Sequence, residues 1–215
     1  MKKKILITGT AGFIGFSLAR SLLIDGYNIV GIDNINNYYS RKLKFNRLKI
    51  LKKFKNFKFF KLDIRNKSKL NKCLKNYKIE TVYHLAAQAG VRHSIIKPND
   101  YVTNNLVGFF NILEFSKNKK IKHFLFASTS SVYGLNKKLP FSENDPVNHP
   151  SQFYAATKRS NELMAHSYSS IYGLKCTGVR FFTVYGPWGR PDMALFKFVN
   201  NILNEKPIDI YNFGD

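Results

Sequence analysis

A glycine-rich turn set between two apolar strands constrains this chain more than any other stretch. Lys4–Thr8 (KILIT) is a short apolar run of strand type, and TGTAGFIG follows from Thr8, with glycines at 9, 12 and 15. A helix is expected over residues 13–25, with Phe16, Leu18, Ala19, Leu22 and Leu23 as its apolar contacts. A second apolar strand, Asn28–Asp33 (NIVGID), ends in an acid. The whole is a strand–turn–helix–strand unit. Glycines let the backbone approach a pyrophosphate, and the helix N-terminus offers N–H donors and a favourable dipole. Asp33 lies 18 residues beyond Gly15, close to where a ribose-binding acid belongs. A carboxylate there accepts from ribose hydroxyls and repels a 2′-phosphate, which favours NAD over NADP.

The same alternation continues. Strands are expected at 57–62, 80–85, 122–127 and 175–181, and helices at 41–54, 67–77, 101–118, 151–168 and 193–204. Residues 135–150 and 183–192 read as loops, and 207–211 as a further extended piece. Strands alternating with helices predict an α/β fold with a doubly wound parallel sheet. Ligands of such sheets bind beyond the carboxyl ends of the strands. The glycine turn, Asp33, Asp63, Ala86-Ala87 and Thr129 all fall at such ends. Ala86-Ala87-Gln88-Ala89-Gly90 is small enough to leave room for a flat ring, although close packing would also explain it. Ser128-Thr129-Ser130-Ser131 could form a turn or bind a substrate alcohol.

Tyr154 and Lys158 stand four apart in the helix at 151–168, so both project from one face. A free tyrosine, with a pKa of about 10, is a poor base near neutrality. A neighbouring cation favours the phenolate and lowers that value, giving an acceptor for an alcohol proton.

Composition narrows the alternatives. The 215 residues suffice for one good core and the start of another. No apolar run reaches the roughly 18 residues a membrane span needs, so no membrane partner is expected. The basic start before ILITGTAGFIG superficially resembles a signal peptide, but the glycines interrupt its apolar run. Cys73 and Cys176 make no disulfide framework and read as reduced thiols of a cytoplasmic protein. The net charge of +22 raises nucleic acid as a partner. Its lysines, densest over 41–78, lack any zinc-finger or RNA-binding motif and read as a solvated face, so no nucleic acid is expected. There is no zinc-ligand or P-loop spacing, and His84, His93, His123, His149 and His166 are scattered and read as structural.

TGTAGFIG, Asp63-Ile64, HLAAQAGVRHS, ASTSSVYG and YAATK together resemble the extended short-chain dehydrogenase/reductases, the NAD-dependent sugar-nucleotide epimerases and dehydratases. HPSQFYAATKRSNELMAHSYSSIYGL and GVRFFTVYGPWGRPDMALFKF look more narrowly like UDP-glucuronate 4-epimerases. The resemblance covers essentially the whole chain. It implies a Rossmann-like sheet, bound NAD, a UDP-sugar substrate, and C4 inversion of a UDP-hexuronic acid through a transient 4-keto sugar. Gly9, Gly12, Phe13, Ile14, Gly15, Asp33, Asn34, Asp63, Ile64, Leu85, Ala86, Ala87, Gln88 and Phe182 would meet the cofactor, and Asn105 would help order the site. Thr129, Tyr154 and Lys158 match the catalytic set, the last two also touching NAD. Arg92, Ser130 and Ser131 would lie beside the sugar, with Thr183 and Arg190 at its carboxylate, which suits an arginine fork.

Dehydratases and decarboxylases of the superfamily carry an acid where Ser130 and Ser131 stand, and UDP-glucose 4-epimerases usually have Asn at position 183. Family members continue for roughly another hundred residues. The expected division is therefore 1–191 for the NAD-binding domain and 192–215 for the start of a substrate domain that is mostly missing. A UDP-glucose 4-epimerase and a truncated, non-catalytic NAD-binding module are the competing expectations. The resemblance also raises a homodimer.

Overall fold

The computed structural model of the protein describes residues 4–210. Six strands form one sheet: β1 (Lys4–Thr8), β2 (Asn28–Asp33), β3 (Phe57–Lys61), β4 (Ile79–His84), β5 (His123–Thr129) and β6 (Cys176–Phe181). All pair in parallel, in the order β3-β2-β1-β4-β5-β6. Parallel neighbours need crossovers, and helices supply them. These are α1 (Phe13–Ile24), α2 (Arg41–Leu51), α3 (Lys67–Leu74), α4 (Val91–Ile96), α5 (Pro98–Tyr101), α6 (Phe109–Asn118) and α7 (Phe153–Tyr172). α8 (Ala194–Leu203) follows β6. Strand order reverses between β1 and β4, which opens a crevice at their carboxyl ends.

The central strands are apolar on both faces because both are covered. Successive residues of β1 point to opposite sides. Leu6 joins Val30, Val82, Phe124 and the α6 residues Phe109 and Ile112 in one core. Ile5 and Ile7 join Phe16, Ala19 and Leu23 of α1 and Leu48 and Leu51 of α2 in the other. Cys73 and Cys176 are both free thiols. No helix among the described residues is long and apolar enough to cross a membrane.

Three expectations need correction. The helix read over 101–118 is interrupted: a π-helical turn, Val102–Gly108, lies between α5 and α6. Such wide turns often accompany functional sites, and this one carries the buried Asn105. The lysine-rich stretch is not wholly a solvated face. Lys44 is buried and Arg47 fully so, because the i, i+3, i+4, i+7 spacing puts them on the face of α2 that carries Leu48 and Leu51. Residues 207–210 form no regular element, and the end of the extended piece read at 207–211 lies outside the described residues.

Candidate active site

The turn after β1 is shaped by what it must touch. Gly9 has φ +74°, and a β-carbon there would sit 2.8 Å from the Ala86 amide nitrogen. A β-carbon on Gly15 would lie 2.2 Å from the Gly9 carbonyl oxygen. Only glycine lets α1 and the end of β4 close on the turn in this way. The Gly9 and Thr10 amides donate to the Ile32 carbonyl at 2.8 and 3.2 Å, which ties the turn to β2. Side chains of Ser40 and Asn66 cap α2 and α3, whereas α1 starts at Gly12 with no side-chain cap. Its N-terminal amides are thus left for an anion.

Asp33 braces this turn. Its carboxylate accepts from the Ala11 amide at 3.0 Å and the Ile35 amide at 2.7 Å. Burial pushes its pKa up, against the backbone hydrogen bonds and the Lys44 charge. Lys44 donates to the Asn36 carbonyl at 2.9 Å and to its side-chain oxygen at 2.6 Å.

The floor is set by β4. Thr8 Oγ1 lies 2.8 Å from His84 Nδ1 and accepts from the Ala86 amide at 3.1 Å. His84 is buried between Phe109 and Phe124, and burial lowers its pKa to about 3. It is a neutral structural imidazole, as the sequence suggests. Asn105 fixes the next residues: its Oδ1 accepts from the Gln88 amide at 2.8 Å. Its Nδ2 donates to the Gln88 carbonyl at 3.0 Å and to Thr157 Oγ1 at 3.1 Å. Asn161 Nδ2 returns to the Asn105 carbonyl at 2.7 Å. The π turn is thereby bolted to α7.

α7 starts at Phe153, so Tyr154 stands in its first turn and Lys158 one turn later on the same side. The Tyr154 ring meets Tyr101 edge-on, centroids 6.0 Å apart. The Thr129 hydroxyl forms the turn that the sequence allowed. It accepts from the Ser131 amide at 3.2 Å, capping the turn Ser130–Tyr133, and it hydrogen-bonds Tyr154. The lowering expected at Tyr154 is not found. Burial pushes the phenol up, and the Thr129 hydrogen bond and the Arg190 charge lean the other way. Lys158 is itself lowered by burial to about 8, opposed by the Glu162 charge. Glu162 accepts from Ser128 Oγ at 2.6 Å and from Arg180 Nε at 3.0 Å, so Ser128 braces the scaffold behind the cleft.

These pieces surround one cleft of about 820 Å³ at the carboxyl ends of the strands. Every residue of the expected site lines it except Asp63 and Asn105. Asn105 lies behind the wall. The Asp63 carboxylate is engaged by Arg65, with Nη2 at 2.7 Å, and by Asn34 Nδ2 at 3.1 Å, while Ile64 faces the cleft. Burial works against the Asp63 charge, but these hydrogen bonds outweigh it and hold the carboxyl below its usual range. Arg92 is exposed on α4 at the rim, and Phe182 stacks loosely toward Tyr133 and Phe141.

Tyr38, Lys44 and Asp192 also line the cleft and were not foreseen. Lys44 stands on the apolar face of α2, but the lysines that crowd this stretch hide the pattern. No local signal marks Tyr38. Asp192 takes the Arg190 guanidinium through Nε at 3.0 Å and through Nη2, and the Tyr38 hydroxyl donates to it at 3.4 Å.

A phenol, a hydroxyl and a buried lysine thus line the same cleft as an anion-ready glycine turn. The probable UDP-glucuronate 4-epimerase of Rhizobium meliloti (strain 1021) is 51% identical over 211 residues, covering 98% of this chain and 62% of that protein. UDP-glucuronic acid 4-epimerase from Bacillus cereus, solved with UDP-glucuronic acid and NAD, superposes with a TM-score of 0.89 at 40% identity, over 97% of this chain and 65% of that one. UDP-glucose 4-epimerase from Thermotoga maritima, solved with UDP-glucose, does so at 0.84 and 31% identity, over 94% and 64%. The chain therefore spans somewhat less than two thirds of these relatives. With the glycine turn, the Tyr154–Lys158 helix and the profile of the NAD dependent epimerase/dehydratase family matched over residues 5–215, this chain belongs to that family.

Proposed function

We propose that the chain carries the dinucleotide-binding and catalytic part of a UDP-glucuronate 4-epimerase. The observation that carries the reading is one cleft lined by Thr129, Tyr154 and Lys158 together with Thr183 and Arg190. The residues present fit NAD. The turn has no space for β-carbons, α1 opens uncapped, and Asp33 lies at the end of β2. Bound NAD would supply the acceptor and donor of hydride that inversion at a carbinol carbon needs. Gly9, Gly12 and the first residues of α1, Phe13 to Gly15, would hold its pyrophosphate. Asp33 and Asn34 would take the ribose side, Asp63 and Ile64 the adenine side, and Leu85 to Gln88 with Phe182 the nicotinamide side. Asn105 acts through Gln88.

On the sugar, Tyr154 would take the C4 hydroxyl proton and later return it, leaving a 4-keto sugar in between. Thr129 would hydrogen-bond the same oxygen, and Lys158, on the same face of α7, is the cation that would steady the phenolate. Ser130, Ser131 and Arg92 would hold the sugar, with Thr183 and Arg190 at the carboxylate. A guanidinium fork matches a carboxylate in both geometry and charge. Residues 1–191 are assigned to the NAD-binding domain and 192–215 to the start of a substrate domain.

One observation favours a neutral sugar instead: Arg190 already has a carboxylate partner in Asp192. Turnover of UDP-glucuronate and UDP-glucose by the full-length protein separates the two. The uronate is expected to be the better substrate, and equal or better use of UDP-glucose would remove the role given to Arg190.

A further inference from the structure

Arg190 is built into the molecule from a distance. The carbonyls of Trp188 and Gly189, just before it, accept from Nη2 of the buried Arg47 on α2. The Trp188 ring packs edge-on against Phe16 of α1, centroids 5.7 Å apart. The backbone entering Arg190 is therefore fixed against the cofactor half. Its side chain is fixed separately. Asp192 holds Nε at 3.0 Å together with Nη2, and Tyr38, from the loop after β2, donates to the same carboxylate at 3.4 Å. The Tyr38 ring lies 5.6 Å from the guanidinium carbon. A guanidinium has two edges that can each take a carboxylate. Asp192 occupies the edge nearer the backbone, and the edge bearing Nη1 is not committed to it.

We propose that Asp192, steadied by Tyr38, is a positioning residue for uronate selectivity. It holds Arg190 by one edge so that the other is presented to a sugar carboxylate in the cleft. The inference rests on the uronate reading above and deepens it. It also assigns a function to Tyr38, which belongs to the cofactor-side loop and yet acts on the substrate side. Arginine loses less entropy on binding when its fork is already oriented. A neutral C6 hydroxyl gains little from that orientation, so the effect should fall on uronates.

The test is equilibrium binding of UDP-glucuronate and of UDP-glucose to the NAD-loaded full-length protein, measured calorimetrically in a Tyr154→Phe background so that nothing turns over. Asp192→Asn is expected to weaken UDP-glucuronate about five- to tenfold, in line with losing an orienting partner, and to move UDP-glucose less than about twofold. Tyr38→Phe keeps the ring and removes the hydroxyl, and should give a smaller loss of the same selectivity. It carries the test if Asp192→Asn does not fold. Unchanged or tighter uronate binding in these variants would overturn the positioning role, and tighter binding would mark Asp192 as a competitor of the substrate. Failure of the underlying reading looks different. There, the parent protein binds both sugars alike, or Arg190→Met leaves uronate binding intact, before Asp192 is touched.

Discussion

The two ends of the cleft are held by different kinds of force. At the cofactor end, backbone bonds to backbone, with Asp33 and Arg47 each adding a side-chain bond at Ala11: the Gly9 and Thr10 amides meet the Ile32 carbonyl, and the fully buried β1 and α1 residues Ile7, Phe16 and Ala19 lie directly behind. At the substrate end, long side chains do the holding. Arg47 reaches the carbonyls of residues 188 and 189 from α2, and Tyr38 reaches Asp192 from the loop after β2. α8, next to that loop, has no fully buried residue and exposes Leu195, Val199, Ile202 and Leu203. The contrast suggests a division of labour. A dinucleotide, on the proposed function, would be the same in every turnover, which suits a rigid backbone cradle. A sugar, on the proposed function, would enter, turn and leave, which suits a wall that side chains can adjust.

The largest effect that would break this comparison is at Gly15. Any β-carbon there meets the Gly9 carbonyl, backbone against backbone, with no side chain to yield. Gly15→Val is expected to cost more than about 3 kcal/mol of stability and to abolish NAD binding. Chemical denaturation and an NAD titration check both, and a stable variant that still binds NAD would show that the turn is not rigid.

Arg47→Met attacks chiefly the other end, where two of its three carbonyl partners lie. It strips hydrogen bonds from the carbonyls of Ala11, Trp188 and Gly189. A loss of about 1–3 kcal/mol is expected, with faster proteolysis of the loop at 183–192 and NAD binding retained. Unchanged proteolysis would mean that the loop is held by something else.

The two ends were also unequally legible in the sequence. The glycine turn and the terminal Asp33 could be read because each answers a local backbone demand within one supersecondary unit. Tyr154 and Lys158 could be read because their spacing is a helical turn. Arg47 and Lys44 could not, since the sequence around them is crowded with lysines and their burial follows from packing of α2. Asn105 gained a role through the resemblance, but the π turn that aims it depends on Gln88 and Thr157, which are remote in sequence. Tyr38 and Asp192 are 154 residues apart, and nothing local in either stretch joins them.

A third effect, which depends on pH, lies where the two ends meet. Burial lowers Lys158 to about 8, against the ordinary 10.5. The unfolded chain therefore holds that proton more tightly, and stability rises with pH between those two values. Below about 8 the buried ammonium costs stability in full, on the order of 3 kcal/mol. Lys158→Met should gain about 1–3 kcal/mol at neutral pH, with the gain shrinking through that window, at the expense of function. Denaturant unfolding across pH measures it. A stability difference that does not change with pH would show that the lysine is not held in this state.

The central claim is that this cleft inverts an alcohol carbon through Tyr154. Its most direct test is C4 inversion of UDP-glucuronate by the full-length Tyr154→Phe protein, followed by NMR beside an NAD titration. A loss of about 10³-fold in inversion is expected, with NAD binding intact. Undiminished inversion in that variant would contradict it.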